Sequence, residues 1–161
     1  MVILKILFTA FNGKNNSSKL LLDTIKVENK LYLKNSFTTS IKQLQRELKN
    51  NEYDLIISFG QAPLDMNTIK IETTAKIDIE YKTKYNYTPL KNKLDKNFKT
   101  IISNNAGSYL CNHIYYNGLK YIEEYNLITN MIFIHIPMID NISSMESLSD
   151  VFNINYAEPL T

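Results

Sequence analysis

At 161 residues the chain has the length of one domain and can bury a core without metals or disulfides. Hydrophobic residues make up 44% and charged residues 21%, which excludes a disordered chain and a membrane-spanning one. The formal net charge is +2, lysines are dispersed among Asp and Glu, and Arg46 is the only arginine, so no basic nucleic-acid arm is present.

The chain opens MVILKILFTAFNG. Its apolar run of about seven residues is too short to span a bilayer. No small-residue cleavage site follows a long apolar region, so a buried first strand is expected rather than a signal peptide. Four short apolar runs read as central strands: Val2–Phe8, Asp54–Phe59, Thr100–Ser103 and Met131–Ile136. Each lacks polar alternation, as expected when both faces are covered. Helical patterns lie between them. Ser17–Ile25 carries Leu20, Leu21 and Ile25, and Ser40–Lys49 carries Ile41, Leu44 and Leu48. The polar, partly alternating stretch Thr68–Tyr87 reads as a strand or hairpin on the sheet's flank. A helix from Cys111 places Ile114, Tyr115, Leu119 and Ile122 on one stripe. Ser143 and Glu146 form a capping-box pattern for a last helix carrying Leu148, Val151 and Phe152. Alternating strands and helices imply a three-layer α/β/α sandwich with a mostly parallel central sheet, one domain over residues 1–161. Chemistry in such a sheet gathers at the carboxyl ends of the strands.

One cysteine excludes an internal disulfide and fits a reducing, cytoplasmic setting. Cys111 follows the turn-like stretch Asn104-Asn105-Ala106-Gly107 and sits near a helix start. Free N–H groups and the helix dipole there would lower its pKa and could hold an oxyanion. Position alone fits a buried structural thiol as well as a nucleophile. His135 ends an apolar strand, where a general base for thiol attack would be wanted, but a histidine satisfied by a backbone carbonyl fits the same place. His113 lies two residues from Cys111 in a helix, so the two do not face each other. Glu72 could orient an imidazole or be an ordinary exposed glutamate, and Gln61 could bind an amide-like substrate or end a strand. One Cys and two His assemble no zinc pattern, and the glycines form no phosphate-binding fingerprint. No metal and no cofactor is therefore expected.

Three segments together resemble the pyroglutamyl peptidase I family, the pyrrolidone-carboxylate peptidases. They are Ser103–Tyr116 (SNNAGSYLCNHIYY), Phe133–Pro137 (FIHIP), and Gly60-Gln61-Ala62 followed by Ile71-Glu72-Thr73-Thr74-Ala75. Thr9-Ala10-Phe11 is similar to the family's turn after the first strand. The resemblance implies Cys111 as nucleophile, His135 as base and Glu72 as orienting acid. It implies a substrate site lined by Phe11, Gln61, Tyr109 and Leu110, and no metal. It further implies removal of N-terminal pyroglutamate (5-oxoproline) from a peptide, without nucleic-acid or membrane partners, by a homo-oligomer that is often tetrameric in the family.

The chain departs from the family pattern in several places. Pro63-Leu64-Asp65 stands where Gly and Arg usually follow Gly-Gln-Ala, and the family's Glu-Arg pair reads Glu72-Thr73. A family asparagine appears as Ile77, and Lys14 or a neighbour replaces a second aromatic of the first turn. Arg46 falls in a different helix and is a poor substitute for the missing arginines. The stretch from Glu72 to Cys111 is shorter than usual, and a specificity loop and a final helix read as trimmed. These departures keep two alternatives open. One is a catalytically weak or inactive binding or assembly protein on the same fold. The other is a cysteine hydrolase with a different acyl-group preference.

Overall fold

The computed structural model describes residues 4–153. Eight strands and five α-helices follow in chain order as β1 (Ile6–Phe11), α1 (Ser17–Thr24), β2 (Lys30–Leu33), α2 (Phe37–Asn50), β3 (Leu55–Ala62), β4 (Thr68–Glu72), β5 (Thr74–Lys76), β6 (Glu80–Lys82), α3 (Thr88–Leu94), β7 (Lys99–Ser103), α4 (Leu110–Glu124), β8 (Asn130–Pro137) and α5 (Met145–Phe152). Six strands form one sheet in the order β2-β1-β3-β8-β4-β7, and β5 and β6 form a separate two-stranded ribbon. β2, β1, β3 and β8 run parallel, β4 is antiparallel to β8, and β7 is parallel to β4.

Alternation along each strand sorts side chains into two layers. Phe8, Ala10, Ile57, Phe59, Ile69, Ile71, Ile132, Ile134 and Ile136 face a core completed by Leu21, Leu22 and Ile25 of α1, Leu90 and Leu94 of α3, and Leu148 and Phe152 of α5. Leu7, Phe11, Ile56, Met131 and Phe133 face the other way, under Leu44 and Leu48 of α2 and Ile114, Tyr115 and Leu119 of α4. This is the expected three-layer α/β/α sandwich with a mostly parallel sheet.

Several boundaries differ from the sequence reading. The first strand runs on to Phe11, because Thr9, Ala10 and Phe11 pair with Leu31, Tyr32 and Leu33 of β2 rather than forming a turn. Val2 and Ile3 of the expected strand lie outside the described residues. β2 and α3 had no clear apolar signature and were missed. β7, read as central, is the sheet edge, while β4 from the supposed flank lies inside the sheet between β8 and β7. The cause is visible in β4: Ile69 and Ile71 enter one core, whereas Lys70 and Glu72 point to the other face, so the strand looks half-exposed in sequence. The last helix is capped by Ser144, whose hydroxyl accepts from Ser147 N–H at 3.0 Å. Ser143, the expected cap, instead bonds Asn67, accepting from Asn67 Nδ2 at 2.7 Å.

Candidate active site

The nucleophile candidate is carried by α4. Gly107 has φ +87°, a left-handed conformation open to glycine, and its N–H bonds Asn105 Oδ1 at 2.9 Å. That turn feeds the chain from the edge strand β7 into the helix. Tyr109, the N-cap residue, makes no side-chain capping bond. The first-turn N–H groups of Leu110, Cys111 and Asn112 have no intrahelical acceptor by construction. Here the helix start differs from α1 and α2, where Asn16 and Ser36 side chains accept first-turn N–H groups.

Cys111 lies over β3 where it has the least bulk. A Cβ built on Gly60 would come within 2.5 Å of Cys111 Sγ and 2.8 Å of Phe133 Cζ. Gly60 is paired in register with His135 on the adjacent β8, and directly paired residues share a sheet face. His135 is 7% exposed and Glu72 1%. His135 Nδ1 lies 2.7 Å from Glu72 Oε2. Glu72 is opposite Phe133, two residues from His135, so the pair is a diagonal contact across β4 and β8. The sheet thus brings Cys111, His135 and Glu72 to one face, at the carboxyl ends of β3 and β8.

Charge and burial define the resting state. The Cys111 thiol is pushed up to about 12, first by burial and then by the nearby Glu72 carboxylate. This overturns the expected depression by the helix start: the thiol is pressed against Gly60 and Phe133 on a face that also holds a buried anion. The sulfur therefore rests as a neutral thiol. Glu72 Oε1 is buried without a hydrogen-bond partner. A carboxylate in that condition favours a positive charge forming beside it. The Phe133 ring, 4.9 Å from the His135 ring, fills the floor.

The remaining sequence-singled residues separate. Phe11 and Leu110 are buried in the same apolar layer as Phe133. Tyr109 is 69% exposed and stands edge-on to Phe37 at 5.3 Å, on the rim. The Gln61 side chain is not brought to this face. Its Oε1 accepts from Ser17 N–H at 3.0 Å, at the start of α1 on the opposite layer. The His113 ring packs on Phe37 at 4.6 Å, with Nδ1 2.9 Å from the Tyr109 carbonyl oxygen. Arg46 lines a separate surface cavity with Lys49, Tyr121 and Tyr125. Sequence reasoning missed Gly60 and Phe133 as parts of the site. A glycine within an apolar strand was the available signal, since it marks a close approach. Among the described residues no cluster of three His, Cys, Asp or Glu could hold a metal ion, and no helix is long and apolar enough to cross a membrane.

Comparison with known proteins places this chain in a family. The family model for pyroglutamyl peptidase matches residues 76–151, a span that includes Cys111 and His135 and begins just after Glu72. Pyrrolidone-carboxylate peptidase 2 of Caldanaerobacter subterraneus is 30% identical over an alignment 169 positions long, covering 83% of this chain and 81% of that protein. The pyrrolidone-carboxylate peptidase of Brachyspira hyodysenteriae is 30% identical over 133 residues, covering 68% and 66%. The fold is shared with the crystal structure of pyroglutamyl peptidase I from Bacillus amyloliquefaciens, with TM-score 0.77, 19% identity and coverage of 94% and 92%. It is shared as well with pyrrolidone carboxyl peptidase from Thermococcus litoralis, with TM-score 0.75, 19% identity and coverage of 94% and 91%. The chain belongs to the pyroglutamyl peptidase family.

Proposed function

We propose that this protein is a cysteine peptidase that removes N-terminal pyroglutamate from peptides, with Cys111 as nucleophile, His135 as general base and Glu72 as orienting acid. The observation that carries the reading is the buried His135–Glu72 contact of 2.7 Å on the face where Cys111 Sγ lies over Gly60, the register partner of His135. A carboxylate only accepts, so Nδ1 carries the proton and Nε2 presents a lone pair. Nε2 takes the thiol proton as sulfur attacks the pyroglutamyl carbonyl carbon, and the neutral starting thiol makes this transfer part of the attack. The imidazolium is stabilised by Glu72 and then protonates the leaving amine as the C–N bond breaks. Water, deprotonated by His135, hydrolyses the thioester and returns the thiol.

First-turn N–H groups of α4 supply donors for the oxyanion, at a helix start left without a side-chain cap. Phe11 and Leu110 supply apolar wall for the uncharged lactam, with Tyr109 on the rim. Gln61, bonded to Ser17, is not part of this wall as the chain stands. The same reading places the reaction on a single domain, in a cytoplasmic setting that keeps the thiol reduced, within a homo-oligomer.

A panel of fluorogenic amides tests the activity and its specificity together. The pyroglutamyl amide should be cleaved, while the prolyl amide, which lacks the lactam carbonyl, and the N-acetylalanyl amide should not. Equal turnover of all three, or turnover of the acetylalanyl amide alone, would contradict the assigned acyl group.

A further inference from the structure

We propose that Asn112 and Tyr115 are positioning residues that lock the helix bearing Cys111 to the strand bearing Glu72, and so set the distance between thiol and acid. The inference rests on the catalytic reading above and extends it to two side chains that touch no reacting atom.

The sequence separation makes such a lock necessary. Glu72 and Cys111 belong to β4 and α4, and Glu72 is the last residue of its strand. Beyond it the chain leaves the six-stranded sheet for the small β5–β6 ribbon. Nothing in the sheet ladder alone fixes where α4 lies along that exit. Two side chains of α4 do. The Tyr115 hydroxyl donates to the Glu72 main-chain carbonyl at 2.8 Å, with the ring fully buried and tilted against Phe133 at 5.7 Å. Tyr115 is one helical turn from Cys111, so the two occupy the same face of α4. Asn112, 2% exposed, grips Lys76 by both backbone groups. Its Nδ2 donates to Lys76 O at 2.8 Å, and its Oδ1 accepts from Lys76 N–H at 3.2 Å. In this pattern the amide serves as a partner for the free edge of β5.

Three hydrogen bonds therefore tie residues 112 and 115 to both ends of the segment 72–76. Buried bonds of this kind are costly to lose, because the partner carbonyl stays buried without a donor. The geometric consequence is specific. If the lock loosens, α4 can shift against β4, and the thiol moves off Gly60 and away from the carboxylate. A displacement of about 1 Å at a nucleophile is enough to cost on the order of 100-fold in rate.

Tyr115→Phe and Asn112→Leu test the proposal, with Thr129→Val as control. Tyr115→Phe keeps the ring and deletes only the donor. Asn112→Leu keeps a similar volume, removes both bonds to Lys76 and adds no charge beside the thiol. Thr129 makes a comparable buried bond, its hydroxyl donating to Tyr53 O at 2.6 Å, on β3's entry side and away from the site. All three variants should lower Tm. Only the two α4 variants should lower kcat, by about tenfold or more with KM within twofold. A second readout needs no turnover: alkylation of Cys111 by iodoacetamide at pH 8. A thiol lifted from its burial over Gly60 and carried farther from the Glu72 carboxylate ionises more readily, so both α4 variants should react several-fold faster than wild type, and Thr129→Val should match wild type. If wild type turns over and the α4 variants keep wild-type kcat and alkylation rate while losing Tm, the lock is merely structural and the proposal is wrong. If wild type does not turn over but the alkylation rates separate as stated, the lock stands and the catalytic reading falls. Unchanged alkylation in both folded α4 variants overturns the proposal.

Discussion

The two faces of the central sheet are built from the same strands and behave differently. The face toward α1, α3 and α5 is apolar along β1, β4, β8 and β3 as far as Phe59, with Phe8, Phe59 and Phe152 in mutual ring contact. The face toward α2 and α4 has polar groups set into its apolar layer: Thr9 donating to Ser58 at 2.7 Å, Glu72 bonded to His135, and Cys111 over Gly60. Adjacent residues on one strand, Ile134 and His135, fall into different regimes because a strand turns its side chains over at every step. The lesson is that burial by itself does not separate core from site here, since both are buried. What separates them is a buried ionisable pair, His135 and Glu72, with Glu72 Oε1 left without a hydrogen-bond partner in the resting molecule.

The largest break in this comparison should come from the polar face. His135→Ala removes the proposed base, and kcat/KM should fall by about 10²–10⁴. Glu72→Gln keeps the volume but offers an amide donor to Nδ1, which favours the tautomer with its proton on Nε2. A fall of similar order is expected, with Tm little changed, by analogy with triad acids. Steady-state kinetics with a pyroglutamyl amide and a thermal melt measure both. Gly60→Ala comes next. The added methyl must displace Cys111 Sγ or the Phe133 ring, so activity should drop on the order of 100-fold, and stability should drop by about 1–3 kcal/mol.

A smaller effect sharpens the electrostatic side. The Cys111 thiol is raised in the folded protein, from 9.0 to about 12, so between those values the unfolded chain has lost a proton that the native state retains. Stability should therefore fall with rising pH across that window. Cys111→Ser, which cannot titrate there, should lose less than wild type over the same range, as read by denaturant melts at several pH values. Parallel curves for the two proteins would contradict the raised thiol. The smallest change belongs to the apolar face. Ile134→Val should cost about 0.5–1.5 kcal/mol in urea unfolding and leave kcat as it is, although it neighbours His135.

How much of this was legible in sequence depended on whether a residue's two neighbours shared its environment. β3 and β8 were plain, because both of their faces are covered by helices and their runs are mostly apolar. The site segments around Cys111 and His135 were legible because a family pattern preserved them in order. β4 was misread as a flank, since its inward polar residues, Lys70 and Glu72, alternate as an exposed strand would. Thr9-Ala10-Phe11 was misread as a turn for want of any local mark that β2 would pair with it. Gln61 was placed in the substrate site by its neighbourhood in sequence, but the strand parity that sets Gly60 under Cys111 turns Gln61 to the other layer. The thiol's raised state was invisible for the same reason: the helix start was readable, and the carboxylate packed near it was a long-range fact.

The central claim is that Cys111 performs acyl transfer on a pyroglutamyl group. The most direct test is release of a fluorescent amine from a pyroglutamyl amide by purified wild type and by Cys111→Ala, with both shown to be folded by circular dichroism. Wild type should turn over, and Cys111→Ala should show no release above background. A folded wild type that releases no amine at high enzyme concentration, or a Cys111→Ala variant that retains wild-type turnover, would contradict it.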